Sequence, residues 1–210
     1  MTVRGKYIAL EGAEACGKST HAARLAADLH AVLTRETGGT KIGAKIRDIL
    51  HDNDHDELDD RAEVLLIAAD RAQHLHEVVR PALESGRHVV SDRSLYSSLA
   101  YQGYGRGVPL PLIAQVDNLA TGGRVPDHTL LFDLPAAAAR QRGRSPRRQG
   151  VDRLDAEDLA FYRRVREGFR DLAARSPGRF HVVDSSGSSA ATFAQVKSKL
   201  SGLLLEEVPA

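Results

Sequence analysis

Residues 12–19 read Gly12-Ala13-Glu14-Ala15-Cys16-Gly17-Lys18-Ser19, a full match to G-x-x-x-x-G-K-[ST]. The glycines let the backbone curl until its N–H groups face a single anion. Lys18 supplies a point charge for β- and γ-phosphates, and the Ser19 hydroxyl is a ligand type suited to Mg²⁺. Thr20 leads into a helix whose N-terminal dipole end adds to the same pull. Such a loop works only between a buried strand and a helix. Both are predicted here: an apolar run, Tyr7–Leu10, precedes it, and a helical face with Leu25, Leu29 and Val32 follows. The stretch Gly12–Thr20 is therefore the candidate phosphate cradle. Cys16 has no evident base partner and reads as a small residue filling space, not as a nucleophile.

The cradle constrains the fold, and the remaining pattern agrees with it. Five short strand-like runs recur: Tyr7–Leu10, Val32–Arg35, His88–Ser91, Thr129–Leu134 and Arg179–Asp184. Most are continuously apolar, as strands buried on both faces are. Helical spacing lies between them. Ile42, Ile46 and Ile49 share a face, and Leu65, Ala69, Ala72, Leu75, Val79 and Leu83 trace a longer stripe ended by Gly86. Alternating strands and helices predict an α/β domain of the P-loop type, a five-stranded parallel sheet flanked by helices. Residues 1–210 are read as one domain. Within it, the segment at about 140–155 holds Arg140, Arg142, Arg144, Arg147, Arg148 and Arg153 with almost no apolar content. It cannot bury itself and reads as a short basic lid.

Composition excludes several function classes. The net charge is +1, which gives no global field toward nucleic acid or an anionic membrane. One cysteine allows neither an internal disulfide nor a multi-cysteine zinc site. No apolar run approaches the roughly 20 residues of a membrane helix. The expectation is a cytoplasmic chain with a small-molecule partner and no nucleic-acid or membrane partner. His51, Asp52, Asp54, His55 and Asp56 could suggest a metal site, but a solvated loop after the Ile42–Leu50 helix explains them.

A phosphate cradle alone does not separate a transferase from a switch. Asp92-Arg93 follows the run His88–Ser91, and an Asp at a strand's end can hold Mg²⁺ directly or through water. An arginine lid can spread over the charge of a transferring phosphoryl group. The guanine signature Asn-Lys-x-Asp is absent.

The segments Tyr7–Thr20, Arg35-Glu36-Thr37-Gly38-Gly39-Thr40, Ala69-Asp70-Arg71-Ala72-Gln73-His74, Asp92–Gly107 and Asp152–Asp155 together resemble bacterial thymidylate kinase, in family order and across nearly the whole chain. The third resembles that family's A-A/D-R-x-Q run, and Ser97–Gly107 resembles its S-S-x-A-Y-Q-G-x-G-R-G. The resemblance implies transfer of the ATP γ-phosphoryl to dTMP with Mg²⁺, in dTTP biosynthesis, by a homodimer. It implies that Glu14 approaches the nucleotide sugar and that Arg71 meets the carbonyl edge of thymine. It implies that Arg93 grips the acceptor phosphate and that Ser98, Tyr101 and Gln102 wall the acceptor pocket. Arg153 becomes the candidate catalytic lid arginine, expected to matter more than Arg144. Asp184–Gly187 falls where the adenine-side loop lies. Lys18, Arg93, Arg153 and Glu14 are the candidate catalytic set, with Ser19 and Asp92 at the metal.

The chemistry fits these roles. Arg71 only donates hydrogen bonds and so prefers a carbonyl oxygen to an amino group. A phosphate monoester is mostly ionised at neutral pH, its second pKa being about 6, so no strong general base is needed. Departures from the family pattern gather at the acceptor side. Ile67 stands where a base-stacking Phe is usual, and such stacking is worth roughly 1–3 kcal/mol. Ser94 and Tyr96 replace the usual Tyr and Asp, and Tyr96 is a candidate substitute ring. Thr37 replaces a Pro. These changes keep open a kinase for another deoxynucleoside monophosphate. A nucleotide switch without an acceptor is a further alternative.

Overall fold

A computed structural model describes residues 4–55, 57–143 and 157–202. Five strands form one parallel sheet: β1 (Tyr7–Glu11), β2 (Val32–Arg35), β3 (Val89–Asp92), β4 (His128–Asp133) and β5 (Phe180–Asp184), in the order β2-β3-β1-β4-β5. The central strand β1 pairs with β3 on one side (Ile8 opposite Val90) and β4 on the other (Ile8 opposite His128). All five of its residues are buried, as continuous apolar character predicts. The edge strand β2 alternates half-buried and exposed residues instead. The predicted strands hold with shifts of a residue or so: β3 starts at Val89 and ends on Asp92, and β4 ends on Asp133, before Leu134.

The helices are α1 (Lys18–Asp28), α2 (Lys41–His51), α3 (Asp60–His74), α4 (Arg80–Glu84), α5 (Leu95–Ser98), α6 (Leu110–Thr121), α7 (Ala136–Gly143), α8 (Leu159–Arg175) and α9 (Ser189–Leu200). Caps fix several starts. The Thr40 hydroxyl accepts from Gly43 N, the Asp59 carboxylate from Arg61 N and Ala62 N, and the Asp158 carboxylate from Phe161 N. A π-helical turn, Leu75–Val79, joins α3 to α4, and Pro81 lies just beyond it. Proline has no N–H to donate and crowds the carbonyl a turn earlier, so a wider turn relieves the helix there. A second π-helical segment, Leu99–Gly105, follows α5.

Two apolar layers sandwich the sheet. One joins Ile8, Leu10, Val90 and Phe132 to Ala22 and Leu25 of α1 and Phe193 and Val196 of α9. The other joins Leu131 and Phe180 to Phe161, Val165 and Phe169 of α8 and to Tyr96 and Tyr101.

Three predicted helical faces are revised. Val32 belongs to β2, not to the face of α1. On α3 the half of the long stripe at Leu65 is 58% exposed, whereas Leu75, Val79 and Leu83 beyond it are buried. The buried face of α3 carries Glu63, Val64, Ala68, Asp70, Arg71 and His74. Because that face is largely charged, a search for apolar periodicity settles on its neighbour. Ile42 and Ile49 of α2 are likewise exposed, at 51% and 41%.

Candidate active site

The carboxyl ends of β1, β2 and β3 open into a cleft of about 420 Å³. Such crevices at strand ends are where open α/β sheets bind ligands. One end of this cleft is the loop between β1 and α1. Gly12 has φ +141, and a Cβ there would lie 2.5 Å from the Phe132 carbonyl oxygen, so only glycine lets the loop pass β4. Gly17, at φ 95, turns the chain into α1. The Lys18 Nζ donates to the Ala13 carbonyl at 2.7 Å. Cys16 is 2% exposed, and its sulfur packs in the core 3.6 Å from that ammonium, as a space-filling residue should. Gly12, Ala13 and Cys16 shape the loop from behind. Glu14, Ala15, Gly17, Lys18, Ser19 and Thr20 face the cleft.

The end of β3 closes over this loop. Ser19 Oγ donates to Asp92 Oδ2 at 2.5 Å, so the two predicted metal-side groups are adjacent. Arg93 follows with φ 76, a left-handed backbone rare for a side-chain residue. That turn aims its guanidinium back at the loop: Nη1 donates to Gly12 O at 3.2 Å and Ser97 Oγ at 3.0 Å, and Nη2 donates to Tyr101 Oη at 3.1 Å and to Glu14. Burial opposes its charge, but Tyr101, Glu14 and Asp92 raise its pKa well above the ordinary arginine value. Beneath it Glu11, fully buried, accepts from Ser94 N at 2.8 Å, Ser94 Oγ at 2.7 Å and Ser97 Oγ at 2.6 Å. Burial pushes the Glu11 carboxyl up while those donors and Arg93 resist.

The other end is built from side chains on distant segments. Arg71, 2% exposed, donates through Nε to Glu36 Oε2 at 2.8 Å, through Nη1 to Asp117 of α6, and through Nη2 to Ser98 Oγ at 3.1 Å and Ser94 O at 3.3 Å. His74 adds Nδ1 against Glu36 Oε1 at 3.0 Å, with Nε2 on Thr34 Oγ1 at 2.7 Å. Burial pushes the Glu36 carboxyl up, yet Arg71 and His74 outweigh it and hold it below its usual value. Gln102 donates through Nε2 to Glu63 Oε1 at 2.7 Å. Ile67, Arg71, Ser98, Tyr101 and Gln102 all face the cleft. The predicted acceptor residues and the phosphate loop therefore share one cavity.

Other expectations change. Tyr96 does not reach the cleft. It is buried in the core, its ring edge-on to Phe180 with centroids 4.6 Å apart, and so supplies no substitute ring. Thr37, which replaces the Pro of the resembled motif, is held by Arg47 instead, its carbonyl and hydroxyl accepting from Arg47 Nη1 at 3.3 and 3.4 Å. His51 belongs to α2 and faces the cleft instead of a solvated loop. Arg144, Arg147, Arg148 and Arg153 lie outside the described residues. Of the basic segment, Arg142 is seen at the end of α7, donating to Ser185 O at 2.9 Å and Ser186 O at 3.1 Å, on the loop after β5.

Sequence reasoning missed Glu11, Glu36, Glu63 and Asp117 as parts of the site. A signal existed for Glu63: it stands four and eight residues before Ile67 and Arg71, one helical face apart from neither. Glu36 lay inside a motif already quoted. Nothing in the sequence joined Asp117 to Arg71.

A phosphate loop that shares its cleft with a walled acceptor pocket defines a P-loop nucleotide kinase. The family model described as thymidylate kinase matches residues 10–196. The thymidylate kinase of Deinococcus radiodurans is 49% identical over 188 residues, covering 87% of this chain and 90% of that protein. That of Desulforudis audaxviator is 45% identical over 206 residues, covering 95% and 92%. The crystal structure of thymidylate kinase from Ehrlichia chaffeensis aligns with a TM-score of 0.77 at 30% identity, covering 94% of this chain and 99% of that one. The chain belongs to the thymidylate kinase family. Among the described residues no helix is long and apolar enough to cross a membrane.

Proposed function

We propose that this chain transfers the γ-phosphoryl group of ATP to dTMP, giving dTDP and ADP, and that the cleft described above is where it does so. The observation that carries the reading is the meeting, in one cavity, of the phosphate loop with Arg71 and Gln102. Family membership supports it. ATP would lie with its phosphates on Gly12–Thr20. The acceptor phosphate would lie between Lys18 and Arg93, and its base against Ile67, Arg71 and Gln102. An oxygen of the acceptor phosphate is the nucleophile. It needs positioning and charge stabilisation more than proton removal. Arg153 is the proposed lid arginine.

The adjacent hydroxyl of Ser19 and carboxylate of Asp92 are hard oxygen donors, the kind Mg²⁺ takes beside substrate phosphates. The ion would offset charge on the β- and γ-oxygens. We also read the protein as a cytoplasmic homodimer. Its one cysteine is a free buried thiol, compatible with a reducing compartment. Leu65 of α3 and Leu119 of α6, 58% and 85% exposed, are apolar groups a second copy could cover.

The test is ADP formation from Mg-ATP with dTMP, dUMP, dCMP, dGMP and AMP offered separately. Turnover is expected with dTMP, more weakly with dUMP, and not with the others. Hydrolysis indifferent to every acceptor would overturn the reading in favour of a switch.

A further inference from the structure

Gln102 has an amide with two chemically opposite ends, one donating and one accepting. A bare amide in a binding pocket can present either. Here the choice is already made. Nε2 donates to Glu63 Oε1 at 2.7 Å, and a carboxylate can only accept. Glu63 is 1% exposed and Gln102 2%. Glu63 also pairs with Arg106, whose Nε donates to the same oxygen at 2.8 Å and whose Nη1 reaches Glu157 Oε1 at 2.8 Å. With one N–H of that nitrogen on Glu63, the orientation of the Gln102 amide is set, and its Oε1 end is the one left to turn toward the cleft that the residue lines. Arg71, two helical turns beyond Glu63 on the same face of α3, offers that cleft only donors.

We propose that Glu63 is a positioning residue for base selection: by fixing the Gln102 amide it makes the pocket demand a ring N–H beside a ring carbonyl. An acceptor next to a donor complements the N3–H and O4 edge of thymine or uracil. Cytosine opposes it twice, with a bare ring nitrogen against Oε1 and an amino group against Arg71. A site built around fixed polar groups rejects such an analogue strongly, because its own buried groups are left unpaired. This inference rests on the reading that Gln102 faces the base.

The test compares wild type, Glu63→Gln, Gln102→Met and the double variant, with dTMP, dUMP and dCMP as acceptors. A glutamine at position 63 can accept from or donate to Gln102, so the amide is free to turn. In Glu63→Gln the ratio of kcat/KM for dTMP over dCMP is expected to fall at least about tenfold, the weight of one lost hydrogen bond. The loss should appear in KM, kcat for dTMP should stay within about threefold, and dTMP and dUMP should fall together. Combining Glu63→Gln with Gln102→Met should then change the ratio no further than Gln102→Met alone. If Gln102→Met lowers the ratio and Glu63→Gln does not, the role of Glu63 is wrong while the placement of the base stands. If Gln102→Met leaves the ratio unchanged, the placement of the base is wrong, and the inference goes with it. Should Glu63→Gln not fold, Glu63→Asp keeps the charge but withdraws it from the amide, and the same ratios decide.

Discussion

The two ends of the cleft are held in different ways. At the phosphate end the shape is set by the backbone, with Gly12, Ala15, Gly17 and Arg93 at positive φ, and Lys18, Ser19 and Asp92 beside them. Its loop and its Asp92-Arg93 pair lie at two neighbouring strand ends, β1 and β3. At the base end the groups are side chains, and the polar pair Arg71 and Gln102 is fixed by carboxylates from other segments. Glu36 follows β2, Asp117 lies on α6 and Glu63 on α3. A backbone cradle needs only local chain geometry. A side-chain pocket needs the whole domain to be assembled. The first suits a group common to all nucleotides, and the second suits one base among several.

Variants at the two ends should therefore fail in different kinetic constants. The largest effect is expected from Lys18→Ala. On the proposed reading it removes a charge facing the transferring phosphoryl group, and kcat should fall about 10²–10³-fold with little change in KM for dTMP. A steady-state assay that found the loss in KM would break the comparison. Asp117→Ala should act on the other end. Glu36 remains to balance Arg71, so the cost is about 2–3 kcal/mol of stability, less than for a fully broken buried pair. KM for dTMP should rise more than kcat falls, and urea denaturation with kinetics would check both. Ile67→Phe is expected to tighten dTMP about tenfold, the lower part of the range for base stacking. An unchanged KM would mean that the base does not pass over position 67.

The smallest effect lies away from both ends. His128 begins β4, and its Nδ1 is 3.3 Å from Nε2 of His181 on β5. Burial, then the neighbouring charges of His128 and Lys199, depress the His181 pKa below 6.5. Below pH 6.5 the unfolded chain therefore binds a proton that the folded chain refuses. Stability should fall as pH drops from there toward the depressed folded value. His181→Asn should flatten the dependence of Tm on pH between 7 and 5 and leave kcat and KM unchanged. An unaltered slope would assign that dependence elsewhere, for example to His21, whose pKa burial also depresses.

The phosphate end was legible in the sequence because contiguity suffices there. The loop Gly12–Ser19, its strand and its helix are neighbours in the chain, and their local chemistry dictates their shape. The sheet was legible for a related reason, since strands buried on both faces are apolar without interruption. The base end was half legible. Arg71, Gln102 and Tyr101 came from resemblance, whereas the carboxylates that hold Arg71 and Gln102 did not come at all. Asp117 is 46 residues from Arg71, and no periodicity connects them. Tyr96 shows the opposite error. Its position in the motif put it near the base, but its ring went to the core, where Phe180 and burial of a large apolar surface outweighed the motif. The stripe on α3 failed because the side that faces the rest of the protein is the side that carries charge.

The partners of the cleft's cations bear on a problem of cellular traffic. Lys18 rests on the Ala13 carbonyl, Arg93 on Glu14 and Gly12, and Arg71 on Glu36 and Asp117. Inorganic phosphate and other small anions abound in a cell, and a row of unattended cations would collect them. Here each newcomer must displace or share an internal partner. A bare anion brings too few contacts to repay that exchange, whereas a nucleotide adds its sugar and base. The internal carbonyls and carboxylates thus set a threshold that a small anion does not reach and a whole nucleotide does.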